Sequence, residues 1–375
     1  MKLILLSLVC SLAISTGIAQ CPYYLNITTQ EEIDSFFENY PNCAGSALSL
    51  DINGQNSNIT NLNGLSQLTS IVRLGVYYSN IQSLSGLHHI TDAYSGIFIL
   101  GNNDLVSLNG LNSLQTVGDR LRVVLNSELQ SLEGLEGLTE IGGELGIELN
   151  GQLQSLSGLN NLERIGGTLK ILSNPNLTSL KGLESLQEVG TIAEDEFYLY
   201  NNPLIENLAG LENLQQVNGT LNLKANSSLN SIDQLLGLQA VSTEINFQSN
   251  GLLSFCAIDV ICNNLENIEI ELVFENNAAG CSSRQEVENS CRPLSTSEVR
   301  LQDKIIAFPN PVSEELQIGL GNGIVFKKAT LYSILGEKLF FTSEETIDCT
   351  QLTSGIYFVE VTTDRGAITK KIVKE

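Results

Sequence analysis

Tryptophan is absent from the 375 residues, methionine occurs once and histidine only twice. The two histidines, His88 and His89, are adjacent, and side chains of chain neighbours rarely converge on one ion, so no metal site is expected there. No nucleophile elbow, His-Glu-x-x-His pair or phosphate-loop spacing occurs. Carboxylates are too numerous for any pair to stand out as a hydrolytic dyad. These absences point away from an enzyme and away from a resident cofactor. Positive charge is also scarce, with 19 Lys+Arg against 42 Asp+Glu and a net charge of −23. Residues 20–300 alone hold 10 Lys+Arg and 32 Asp+Glu. So acidic a surface repels phosphate backbones and excludes nucleic acid as a partner. Beyond the N-terminal segment, no apolar run reaches the roughly 18 residues of a membrane-spanning helix.

What is present begins with an export signal. Lys2 precedes the apolar stretch Leu3–Ile14, and Gly17-Ile18-Ala19 supplies a small-x-small cleavage site. Residues 1–19 therefore read as a secretory signal peptide. The remaining cysteines enter a compartment where disulfides persist. They fall at Cys21 and Cys43, at Cys256, Cys262, Cys281 and Cys291, and at a solitary Cys349.

Between the two cysteine groups the chain repeats. Leu-x-Gly-Leu recurs from Leu62, Leu84, Leu108, Leu132, Leu156, Leu180 and Leu208, with a degenerate copy at Ile232, at spacings of 22, 24, 24, 24, 24, 28 and 24. A turn of this length cannot bury its apolar side alone, so turns must stack and share a core. Leu169-x-Ile171 has strand period with both residues inward. Asn174 recurs in register as Asn102, Asn126, Asn150, Asn202, Asn226 and Asn250. A polar residue at a repeated inward corner needs partners, which predicts an asparagine ladder. Spacings of three between leucines, and glycine within each Leu-x-Gly-Leu, argue against a long amphipathic helix. The 28-residue turn carries Glu194-Asp195-Glu196. An exposed acidic loop is expected there, with a Ca²⁺ site as the alternative.

A stack needs capped ends. Thr29-x-x-Glu32 is a capping box, followed by Ile33, Phe36, Phe37 and Tyr40 at helical spacing, and Cys21 and Cys43 bracket this helix as a disulfide pair. At the far end, Ile258, Ile261 and Leu265 predict a short helix and Ser283-x-x-Glu286 a second capping box. The four cysteines there allow three pairings, of which Cys256–Cys281 with Cys262–Cys291 is favoured.

The segment from Leu162 to Leu180 resembles the receptor L-domain repeat of insulin and epidermal growth factor receptors, and the cysteine-closed helix before the first turn fits that family. The resemblance spans about residues 21–291 and implies a right-handed β-solenoid related to leucine-rich repeats. It carries no hormone-binding role across, because no receptor contact residue can be matched. The chain also lacks the family's kinase region and its cysteine-rich domain.

Residues 292–304 are polar, lack the repeat and read as a linker. Beyond them, Leu316–Ile318, Ala329–Ile334, Lys338–Phe341, Ile356–Val361 and Ile368–Val373 predict short antiparallel strands. Phe308-Pro309-Asn310-Pro311, Gly336 after Leu335, Gly355 with Tyr357, and Lys371 near the terminus are similar, in order, to the sorting domain of type IX secretion cargo. That resemblance implies handling by the type IX secretion machinery, passage through the periplasm, and release or display at a Gram-negative outer surface. The expected fold is thus mainly β. A right-handed leucine-rich β-solenoid with small helical caps (residues 20–291) precedes a small immunoglobulin-like antiparallel β-sandwich (residues 305–375).

Function is expected on the outer sheet surface. Aligned by turn, one outward row includes Phe98, Arg122, Lys170 and Tyr198, and the next includes Tyr200, with Tyr77 extending it from the short first turn. Aromatic and basic residues gathered on one face of an acidic protein predict a recognition surface for an extracellular glycan or protein. The alternative is a structural surface element without a discrete ligand.

Overall fold

The computed structural model describes residues 20–45, 48–55, 57–291, 305–321 and 324–375. The signal peptide and the linker expected from the sequence lie outside the described residues. The chain divides into two compact units at residues 288 and 289.

The first unit is a parallel β-solenoid of about ten turns. Its principal sheet stacks one strand per turn, from Tyr24–Ile27 through Ser49–Asn53, Ser70–Tyr77, Asp92–Leu100, Arg120–Val124, Leu145–Glu148, Leu169–Leu172, Asp195–Tyr200, Gly219–Lys224 and Glu244–Gln248 to Glu271–Glu275. A second ribbon of two-residue strands, such as Arg164–Ile165, runs along a neighbouring side. Alternation does what it predicts: Leu169 and Ile171 are fully buried, while Lys170 and Leu172 lie at the surface. The leucines of Leu-x-Gly-Leu are buried in every turn.

The glycine of that motif has a steric origin. Gly158 adopts φ +115°, and a Cβ there would meet the Leu132 carbonyl oxygen of the preceding turn at 2.0 Å. Only glycine accepts both the dihedral and the approach.

The asparagine ladder is complete. Asn150 donates its backbone N–H to Asn174 Oδ1 at 3.1 Å, and Asn174 in turn donates to Asn202 Oδ1 at 3.0 Å. Asn174 Nδ2 reaches the Ile147 carbonyl at 3.0 Å. The ladder runs further than the repeat suggests. Asn277 accepts from Asn250 at the C-terminal end, and Ser79 donates to Asn102 at the other.

Both caps form, with differences from expectation. The capping box of Thr29 and Glu32 is present, but the N-terminal helix breaks at Ser35 into Gln30–Asp34 and Phe36–Asn39. The Ser35 hydroxyl donates to the Glu31 carbonyl at 2.7 Å, a local bond that competes with helix continuation. Ile33 and Phe36 are buried, whereas Phe37 and Tyr40 are only half-buried. At the far end the helices are Asp259–Cys262 and Arg284–Cys291. The Glu286 N–H donates to the Ser283 hydroxyl at 3.3 Å, as the expected box requires, and its carboxylate accepts from the N–H groups of Gly280 and Ser282. Cys21–Cys43 and Cys256–Cys281 are bonded, with Cα separations of 5.0 and 5.5 Å, and Cys262 and Cys291 are also disulfide-bonded.

The second unit packs a three-stranded antiparallel sheet (Ile305–Phe308, Glu315–Leu320, Thr346–Asp348) and a four-stranded one around one core. The larger sheet orders its strands Lys338–Thr342, Phe326–Ser333, Gly355–Thr363 and Gly366–Lys374. Leu316, Ile347, Leu331, Val359 and Ile372 fill the space between them. Cys349 is a buried free thiol in this core, and burial pushes its pKa up.

Candidate recognition face

The register of the principal sheet fixes which outward side chains are neighbours. Asp51, Gly75, Phe98, Arg122, Gly146, Lys170, Tyr198, Asn222 and Asn246 form one continuous row across successive strands. Tyr77, Leu100, Val124, Glu148, Leu172 and Tyr200 form the next. All six residues singled out from the sequence therefore lie on one face.

Three of them meet. Tyr77, Phe98 and Arg122, with Leu100 and Val124, line a shallow depression of about 120 Å³. Against Tyr77 and Phe98 stand two residues outside that set, Arg73 and Asp51. Arg73 bonds both the Asp51 carboxylate and the Tyr77 hydroxyl, and its guanidinium carbon stands 4.8 Å from the centre of the Phe98 ring. A cation over an aromatic face contributes on the order of 0.5–1 kcal/mol at a surface site. Gly75 lies under this group: a Cβ there would touch the Tyr77 ring and the Asp51 carboxylate. An outward glycine in a strand marks such a close approach. Tyr77 is shielded enough that its phenol pKa is raised, chiefly by burial and then by the Asp51 charge.

Next to the depression runs an ionic chain. Arg122 Nη2 donates to Glu148 at 2.7 Å, while its Nε faces Glu144 at 3.3 Å as an ion pair without hydrogen-bond alignment. Glu144 also accepts from Lys170 at 3.4 Å. The bond from Glu148 holds the Arg122 pKa above its ordinary value. Gly146 leaves the space these side chains occupy, since a Cβ there would stand 3.1 Å from Glu148 and 3.2 Å from Glu144.

Lys170 thus belongs to the ionic chain and not to the depression. Tyr198 and Tyr200 form a separate centre, with ring centroids 5.6 Å apart. Four strand steps separate Phe98 from Tyr198, or ~19 Å at the usual strand spacing. Burial raises the Tyr198 pKa, with Glu196 adding to the effect.

The remaining motifs resolve as structure. His89 Nδ1 lies 2.8 Å from the Ser66 carbonyl, and the two histidine rings pack at 4.1 Å. Asp195 closes its own turn by accepting from Thr191 and Ile192, while Glu196 accepts from Asn222, so the acidic triplet does not converge. Among the described residues, no group of three or more potential metal ligands assembles. Likewise, no described helix is long and apolar enough to cross a membrane.

In the second unit, the sorting-motif residues gather along the terminal strand. Asn310, between Pro309 and Pro311, bonds the backbone at Lys371 and Val373. Gly355 pairs with Lys374 and Tyr357 with Ile372. The Tyr357 hydroxyl donates to the Thr353 carbonyl at 2.9 Å. Gly336 lies apart, with φ +79° in the turn between two strands.

A leucine-filled parallel solenoid with an amphipathic outer face, followed by an antiparallel β-domain, defines the class of protein. Family comparison is consistent with both parts. Residues 306–375 match the secretion system C-terminal sorting domain, and residues 114–207 match the receptor L domain. The receptor L-domain match covers the central turns, whereas the repeat continues on either side of it. No curated protein matches the chain. The type IX sorting tail indicates export to the cell surface or beyond, and the receptor L-domain segment suggests a binding module.

Proposed function

We propose that this protein is an exported, non-catalytic recognition module that holds an extracellular ligand on the outward face of its principal sheet. One observation carries the reading: Tyr77, Phe98 and Arg122, chosen for residue type and register, line a single depression with Leu100 and Val124. Aromatic residues and arginine in a partly desolvated setting are what dominate binding energies at recognition surfaces. The site is preorganised, since Arg73 and Arg122 are each fixed by carboxylates before any ligand arrives. Capped ends favour this over a structural polymer, because helical segments and disulfides close both ends of the apolar stack. The test is binding of the full-length chain to immobilised glycans and displayed peptides. Phe98→Ala combined with Tyr198→Ala should abolish the binding that is found. Binding unchanged in that double variant refutes the face.

A further inference from the structure

Five of the eight lysines and arginines between residues 20 and 291 lie on the outward face of the principal sheet: Arg73, Arg120, Arg122, Lys170 and Lys224. Over the strands from Ser49–Asn53 to Glu244–Gln248, these five cations stand against five outward carboxylates, Asp51, Glu144, Glu148, Glu196 and Glu244. A neutral platform therefore sits within a strongly acidic body. Three of these cations are also held internally. Asp51 and Tyr77 occupy the Arg73 guanidinium, Glu148 and Glu144 hold Arg122, and Glu144 holds Lys170. An anionic ligand would have to break these pairs while approaching against the field of the whole protein. A cationic ligand would find its carboxylates already engaged.

The apolar parts of the platform are aromatic and discontinuous, with the Tyr77–Phe98 centre and the Tyr198–Tyr200 centre separated by the ionic chain. That interruption does not suit the continuous apolar face of an amphipathic helix. An extended peptide gains its affinity by pairing with a free sheet edge, and the backbone groups on this face are committed to the neighbouring turns. Beside Tyr198 in the same row, the side-chain oxygens of Asn222 and Asn246 are turned inward, buried and without a donor, while their amide nitrogens are held by Glu196 and Glu244. An acceptor left without a donor is a deficit that ligand hydroxyls can fill. The terminal torsion of an asparagine is soft enough to present the oxygen outward.

From these features we infer that the ligand is an uncharged polysaccharide laid along the stack, across the strands. Its sugar faces would rest on both aromatic centres, and its hydroxyls would donate to the amide oxygens beside Tyr198. The inference depends on this face being the ligand site, and it adds the ligand's chemical class and direction.

The decisive measurement is retention of the full-length chain by a panel of neutral polysaccharides (xylan, glucomannan, laminarin, chitin) against anionic alginate and polygalacturonate. At least one neutral polymer should bind and the anionic ones should not. Affinity should change little between about 50 and 500 mM salt, because no net charge is neutralised. Phe98→Ala and Tyr198→Ala should each weaken binding about ten-fold, with unchanged melting temperatures. Failure of every neutral polymer to bind, or preference for the anionic ones, overturns the inference. A displayed-peptide selection on the same chain separates the two levels. Peptide binders lost in Phe98→Ala, without polysaccharide binding, leave the face standing and remove the glycan. Polysaccharide binding indifferent to both substitutions removes the face.

Discussion

Asn310 joins the start of the C-terminal domain to its last strand: its Oδ1 accepts from the Val373 N–H at 2.8 Å, and its Nδ2 donates to the Lys371 carbonyl at 3.0 Å. One amide thus supplies both halves of a missing backbone pairing across more than sixty residues. Val312 continues the same seam by donating to the Val373 carbonyl at 2.8 Å. The sorting-motif residues before Val312 are therefore a clasp on the terminal strand. Asn310→Ala removes two hydrogen bonds at a partly solvated site, so a loss of about 1–2 kcal/mol in domain stability is expected. Urea denaturation of the full-length protein, followed through a probe in residues 305–375, reads this directly. An unchanged transition would show that the strand is held by its core residues alone.

Inside the solenoid an asparagine does different work. Asn174 is fully buried and bonds turns on both sides of its own. Removing its side chain orphans the Asn150 N–H and the Ile147 carbonyl in a dry corner. Asn174→Ala is expected to cost about 3–5 kcal/mol by summing these unsatisfied groups. Asn222→Ala on the outer face should cost under about 1 kcal/mol, since its surroundings are partly wet. Comparing the two urea midpoints tests whether burial of the amide, and not the asparagine itself, sets the difference.

Much of this was legible because a repeat places the same residue type at the same structural position. One aligned turn locates the ladder asparagines from Asn102 to Asn250 and both outward rows, including Phe98, Arg122 and Tyr198. The failures are where the period breaks. A register shift between Ile71 and Arg73 displaces the count in the first long strand, which hid Arg73 and its partner Asp51. Asn277 escaped because it follows the last Leu-x-Gly-Leu copy and has no repeat to mark it. The N-terminal helix broke at Ser35 because a side-chain bond, invisible to hydrophobic spacing, competes with the helix. In the C-terminal domain the two short strands Ile305–Phe308 and Thr346–Asp348 lacked enough alternation to be seen.

The corner before each ladder asparagine carries a measurable strain. Leu125 and Leu149 both adopt φ +57°, and the equivalent position two turns after Leu149 is Asn201 at φ +54°. A left-handed backbone disfavours leucine and tolerates asparagine. Leu149 is 48% exposed, so it has little packing to lose. Leu149→Asn should leave stability unchanged or raise it by ~0.5–1 kcal/mol. A drop in the melting temperature would mean that the exposed leucine packs more tightly against its neighbours than its dihedral suggests.

The N-terminal cap should respond to pH in a defined direction. The Glu32 carboxylate accepts from the N–H groups of Thr28 at 2.8 Å and Thr29 at 3.0 Å, and these bonds hold its pKa below the ordinary glutamate value. A depressed folded-state pKa means that the unfolded chain binds the proton more readily. The contribution is therefore fully present above the unfolded value of about 4.3 and is lost as pH falls through the lower folded value. Glu32→Gln should then destabilise the cap at neutral pH while flattening the acid limb of the stability curve between about pH 5 and 3. Hydrogen exchange of the Ile33 and Phe36 amides across that range reads the cap locally. Wild type should lose protection on acidification, and the variant should start lower and change less. Parallel pH profiles would mean that Glu32 does not supply the pH dependence of the cap.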